Sequence, residues 1–89
     1  MRDLTDRQRA VLAFMIKHCV EHRQPPAIRE IGAAFDIGST NGVGEHLRAL
    51  VRKGYAAQEK TSAQRGVWPV RDVDGAPISW RLSYQRSAS

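Results

Sequence analysis

The 89-residue sequence has a single cysteine, Cys19. A lone cysteine excludes an intramolecular disulfide and fits a reducing cytoplasm. No apolar run approaches the roughly 18 residues that a membrane span needs. The opening Met1-Arg2-Asp3-Leu4-Thr5-Asp6 is charged and leads into amphipathic rather than continuously apolar sequence, so no secretory signal is expected. Also missing are a phosphate-cradling glycine loop, a nucleophile-bearing Gly-x-Ser-x-Gly turn and paired catalytic carboxylates. There is no internal repeat and no low-complexity tract. These absences set aside secreted and membrane proteins and leave no catalytic machinery.

What is present suits one folded domain with one modest core, at 42% apolar and 26% charged residues. The net charge of +5 is unevenly spread. Residues 1–45 hold six basic and six acidic side chains, whereas residues 46–89 hold eight basic and three acidic. The entire imbalance lies in the second half, which is the footprint of a polyanion-binding surface rather than of general solubility.

Thr5 and Gln8 form a Thr-x-x-Gln capping box. Val11, Leu12, Met15, Ile16, Cys19 and Val20 follow at helical spacing, which predicts a first helix over 6–22. Pro25-Pro26 closes the approach loop and opens a short second helix with a buried stripe of Ile28, Ile31, Gly32 and Phe35. Asp36-Ile37-Gly38 reads as a tight turn in which Gly38 is free to take positive φ. Ser39 or Thr40 caps a third helix running to Lys53, and Gly54 stops it. Beyond it, Tyr55–Glu59 and Gly66–Val70 read as strands around a polar turn. Asp74-Gly75 is a second turn, which sets Val67, Pro69 and Val73 opposite Leu82, Trp80 and Ala76. Pro69 cannot donate to a ladder and is expected at an edge or bulge. The fold expected is α+β: a three-helix winged helix-turn-helix with a small antiparallel C-terminal sheet.

The third helix carries the functional signal. Wound at about 100° per residue, Val43, Leu47, Leu50 and Val51 fall on a core face, and Asn41, Glu45, Arg48 and Arg52 form a stripe opposite. An amide suits adenine, a carboxylate accepts from cytosine, and guanidiniums suit guanine or phosphate. An ordinary solvated helix with a Glu45–Arg48 ion pair would look the same in isolation. Context decides between them: a short helix, a glycine-containing turn and this helix form a helix-turn-helix pair, whose second member enters the major groove.

Other constellations point elsewhere or stay open. His18 and His22 flank Cys19 at a spacing that could hold zinc, but no third ligand stands outside and Cys19 belongs to the apolar stripe. A core cysteine and two surface imidazoles are therefore expected, with no metal and no cofactor. His46 beside the stripe is either a phosphate contact or plain surface. Lys60 and Arg65 bracket the turn between the first two strands; solvated loop charge is their ordinary reading, and phosphate or minor-groove contact is favoured by the wing that the family resemblance described next implies. Trp68 and Trp80 suit a hairpin core or subunit contact better than a stacking platform for single strands.

Leu4-Thr5-Asp6-Arg7-Gln8, Pro25-Pro26, Arg29-Glu30-Ile31, Ser39-Thr40-Asn41, Glu45-His46-Leu47-Arg48-Ala49-Leu50, Arg52-Lys53-Gly54 and Arg65-Gly66 together resemble the N-terminal DNA-binding domain of LexA-type repressors. The resemblance runs from Leu4 to Val70. It implies a third helix in the major groove, a wing on the backbone or minor groove, and Ser39, Asn41 and Glu45 at base-contacting positions. Family repressors also carry a second domain with a self-cleaving Ala-Gly bond, a Ser-Lys dyad and the dimer interface. None of that is expected in the residues beyond Val70, and the lysines of the chain are only Lys17, Lys53 and Lys60. Gly42 and Gly44 stand where the family usually has alanine and glutamate, and Gly38 where it often has arginine. By the resemblance these glycines delete side chains that would read bases, so an operator unlike the usual SOS box is expected.

The sequence thus predicts a DNA-binding unit over 1–70, a hairpin extension over 71–86 and a tail over 87–89. The residues expected to meet double-stranded DNA are Ser39, Thr40, Asn41, Glu45, Arg48, Arg52, Lys53, Lys60 and Arg65. The function expected is a cytoplasmic, non-enzymatic transcriptional regulator, a repressor by the resemblance. The alternative is a winged-helix protein-interaction module that antagonises or pairs with another regulator. On DNA two copies are expected to act together, paired through the hairpin over Val67–Tyr84; under the alternative the partner is that other regulator.

Overall fold

The computed structural model describes residues 4–60 and 65–78. Three helices, α1 (Asp6–His22), α2 (Ile28–Phe35) and α3 (Thr40–Arg52), precede two strands, β1 (Ala56–Lys60) and β2 (Arg65–Pro69). The strands pair antiparallel, with Ala56 opposite Pro69 and Lys60 opposite Arg65. No helix among the described residues is long and apolar enough to cross a membrane.

The capping box of α1 forms as its sequence requires. Gln8 N–H donates to Thr5 Oγ1, and Thr5 N–H donates to Gln8 Oε1, each at 3.1 Å. The α2 helix has no hydroxyl at its cap, yet Glu30 Oε1 accepts the Ala27 N–H at 2.7 Å. That bond, with lesser help from His18, holds the Glu30 carboxyl below the usual carboxylate range. A carboxylate with a depressed pKa stabilises the fold at neutral pH and loses that contribution as pH falls through the folded value. Glu30→Gln should therefore flatten part of the acid limb of a stability–pH curve measured by thermal unfolding; an unchanged limb would show that the bond contributes nothing.

Leu4, Val11, Leu12, Met15, Ile31, Val43, Leu47, Leu50, Tyr55 and Ala56 make one continuous core. On α1 the buried arc runs about 100° from Val11 to Leu12 and encloses Met15 and Cys19. Ile16 lies about 40° outside that arc and is half-buried; Val20 lies about 80° outside it and is exposed. The predicted stripe was thus too wide on this helix. Ile28 and Val51 are likewise exposed rather than buried, because they border an open groove between the start of α2, α3 and β2 that Leu47 and Val67 also line. The Cys19 thiol is buried in the core, and that burial pushes its pKa up to about 11.

The turn before α3 differs from its expected form. Asp36, not Gly38, adopts the left-handed conformation, at φ 57°. Aspartate tolerates that region better than most side chains, and Ile37 N–H then donates to Gly32 O at 2.8 Å to close the helix end. Arg23 closes α1 in the same way, at φ 60°. A Cβ on Gly42 would stand 2.8 Å from Ile37 Cγ2. Gly42 is therefore needed for the turn to pack on α3. It does not mark a lost base-reading side chain, since its Cβ direction points into the turn.

The wing is pinned near the outer end of its ladder. Gly66 sits at φ 136°, and a Cβ there would meet Pro25 Cγ at 3.0 Å. Pro25 thus packs on the wing strand, which explains why a glycine follows Arg65. Gly66→Ala should lower stability by about 1–3 kcal/mol through backbone strain alone, and an unchanged thermal midpoint would contradict this packing. Pro69 ends β2 beside a local bulge, where Val70 and Arg71 N–H both donate to Tyr55 O at 2.8 and 3.3 Å.

The second hairpin is one residue out of the expected register. Arg71 bridges Pro77, Asp72 N–H donates to Ala76 O at 2.7 Å and Ile78 N–H to Val70 O at 3.0 Å. The loop is Val73-Asp74-Gly75, closed by Gly75 N–H to Asp72 O at 2.9 Å with Gly75 at φ 93°. This is a three-residue loop with a left-handed glycine in place of the two-residue Asp-Gly turn. A slip of one residue exchanges the faces. Val67 and Val73 pack against the main core, while Trp80, Leu82 and Tyr84 lie outside the described residues.

Candidate nucleic-acid interface

Ser39 opens α3. Its Oγ accepts the Gly42 N–H at 3.0 Å, so one hydroxyl lone pair is committed to the cap while its proton is left to donate outward. Thr40 is exposed beside it. Asn41, Glu45, Arg48 and Arg52 are all exposed and lie within an arc of about 60°. The core contacts of Val43, Leu47 and Leu50 fix the rotation of the helix and therefore aim this stripe outward. Arg48 Nη2 donates to Glu45 Oε2 at 2.9 Å, with the two side chains 60% and 73% exposed. A pair this open contributes roughly 0–1 kcal/mol at most; what it does is orient two groups that otherwise sample many rotamers.

The other predicted residues are distributed differently. Lys53, at the C-cap of α3, lies about 100° round from Arg52 and its Nζ donates to Gln8 Oε1 at 2.7 Å. It ties the end of α3 to the capping box of α1 and stands apart from the stripe. Lys60 and Arg65 are opposite each other at the outer end of the β1–β2 ladder, on either side of residues 61–64. His46 is half-buried on the flank of α3 away from Gly44. The basic residues expected at DNA thus divide between α3 and the outer end of the hairpin.

No three His, Cys, Asp or Glu side chains among the described residues gather where they could hold a metal. His18 is engaged otherwise: its Nδ1 lies 2.9 Å from Gln24 O and its Nε2 3.5 Å from Glu30 Oε2. Sequence reasoning missed one feature of the stripe, the seating of Arg48 over Gly44. The signal was available as a glycine four residues before an arginine, a spacing that puts both on one face of a helix.

A short helix, a tight turn and an exposed, polar second helix, flanked by a two-stranded hairpin with cations at its tip, define a winged helix-turn-helix nucleic-acid-binding fold. The model of the LexA DNA binding domain family matches residues 1–66, and the chain belongs to that family. It is 52% identical over 64 residues to a LexA repressor of Anaeromyxobacter dehalogenans, a match covering 72% of this chain and 28% of that protein. A LexA repressor of Sorangium cellulosum is 50% identical over 76 residues, 85% of this chain and 32% of that protein. That of Myxococcus xanthus is 56% identical over 55 residues, 62% of this chain and 25% of its own length. The chain spans about a third or less of the length of these relatives.

Proposed function

We propose that this chain is a sequence-specific repressor that acts by occupying double-stranded DNA in the cytoplasm and carries out no chemistry of its own. In this reading α3 lies in the major groove, with Ser39, Thr40, Asn41 and Glu45 at base edges and Arg48 and Arg52 reaching bases or phosphates. Lys60 and Arg65 at the wing tip meet the backbone or minor groove. The observation that carries it is the outward stripe from Asn41 to Arg52, held in place by a core shared with a DNA-binding family. Residues 1–70 form the binding unit and 71–86 extend it. Two copies on paired half-sites are the natural assembly, because a single winged helix reads few base pairs and buries little surface.

The reading is tested with a competition assay against substituted duplexes. Asn41→Ala should lose about 1–3 kcal/mol of discrimination at one base position while retaining its affinity for unrelated DNA. An Asn41→Ala variant with unaltered base preference would remove α3 as the reader.

A further inference from the structure

Gly44 lies on the wing-side edge of the stripe, three residues after Asn41 and four before Arg48. A Cβ built on it would stand 3.3 Å from Arg48 Nη1, 3.7 Å from Nη2 and 3.8 Å from Cζ. The whole guanidinium therefore lies over the bare backbone of this residue. The same Nη2 donates to Glu45 Oε2 at 2.9 Å. The fork is held on one side by a carboxylate and bounded on the other by a glycine, while the side chain stays 60% exposed. Long helical side chains lean toward the N-terminus of their helix. Here that lean carries the charge of Arg48 one turn back, into the half of α3 where a recognition helix meets base edges.

We propose that Gly44 is a specificity-determining residue, whose missing side chain forms a seat in which the Arg48 guanidinium, oriented by Glu45, pairs with guanine O6 and N7. This inference rests on the DNA reading above. The planar fork of arginine matches those two acceptors in one fixed plane, a geometry that the rotatable ammonium of a lysine does not impose. A side chain at position 44 occupies the same volume and turns Arg48 outward toward the phosphates. Glycine is disfavoured in a helix relative to alanine, so folding alone gives no reason for it here; Gly44, unlike Gly42, meets no part of the core or turn.

The experiment is selection from duplexes randomised across the bound half-site, comparing the wild type with Gly44→Leu, Gly44→Ala, Arg48→Lys and Arg48→Ala. The wild type should select guanine at one position. Gly44→Leu and Arg48→Ala should each lose that preference by about tenfold or more, while the preference set by Asn41 persists. Gly44→Ala, whose methyl only crowds the flexible end of Arg48, should lose part of it. Arg48→Lys should keep the salt dependence of binding and weaken the guanine preference without abolishing it. Combining Gly44→Leu with Arg48→Ala should cost no more than either alone, as for two changes acting on one contact. Both Gly44 variants should unfold at the wild-type temperature or above, because alanine and leucine are the better helix formers. That readout separates specificity from a folding defect. A Gly44→Leu protein that selects the wild-type sequence overturns the seat alone, whereas a wild type that binds no duplex overturns the DNA reading and the seat with it.

Discussion

Raising the salt from about 50 to about 200 mM should weaken duplex binding roughly fortyfold for each bound copy. The magnitude follows from counterion release, in which the logarithm of affinity falls with the logarithm of salt at about 0.9 per phosphate neutralised. Arg52, Lys60 and Arg65 are the cations that α3 and the wing tip leave for the backbone, Arg48 being directed at a base, so about three phosphates per copy is the appropriate count. Lys53, tied to Gln8, is left out of that count. Replacing Lys60 or Arg65 by alanine should lower the slope by about one and weaken all sequences alike. Fluorescence anisotropy across a salt series measures both quantities. A flat titration would mean that the net charge of +5 serves solubility and that duplex DNA is not the partner.

Leu50→Ala should have the largest effect on folding. Leu50 is fully buried, at 0% exposure, on the face of α3 opposite the stripe. Truncating such a leucine removes its transfer free energy and leaves a cavity, together about 2–5 kcal/mol. Domains of this size have little stability to lose, and each kcal/mol moves the thermal midpoint by about 4–8 °C. A fall on the order of 10–30 °C in the unfolding midpoint is expected. Val20→Ala is the matched control: it removes apolar carbon from a side chain 62% exposed, and a surface change of that kind stays within about 0.5 kcal/mol. If the two variants melt together, the core does not pass through Leu50.

The helices were legible because their signals are local. A capping box, two prolines, a serine cap and a glycine stop each act within one helical turn, and the observed bounds of α1 and α3 follow them closely. The width of the buried faces was less legible, because Val20, Ile28 and Val51 are apolar and correctly spaced. Nothing in the chain says how far a neighbouring element extends over them. The second hairpin slipped for a similar reason. Asp74-Gly75 announces a turn, but whether the glycine ends a two-residue or a three-residue loop depends on the bulge at Tyr55 and Pro69, remote in sequence. The residue types of the stripe on α3 were plain from periodicity. The pairing of Arg48 with Glu45, the seat at Gly44 and the diversion of Lys53 to α1 required coordinates, since each depends on which of several reachable partners a flexible side chain takes.

The contact between Ile37 and Gly42 constrains the order in which this chain can change. A methyl at position 42 would arrive 2.8 Å from Ile37 Cγ2, and Ile37 is itself half-buried against the core. Alanine at 42 as a first step therefore forces Ile37 or the turn to shift, a cost set against its gain as a helix former. A mutation that retracts the branched carbon at 37 opens the route, and the second change then becomes the better helix former at no steric cost. The two positions are linked as lock and key across the turn: in this packing, isoleucine at 37 leaves no room for a methyl at 42. Acquiring a larger residue at 42 should be accompanied by an earlier change at 37.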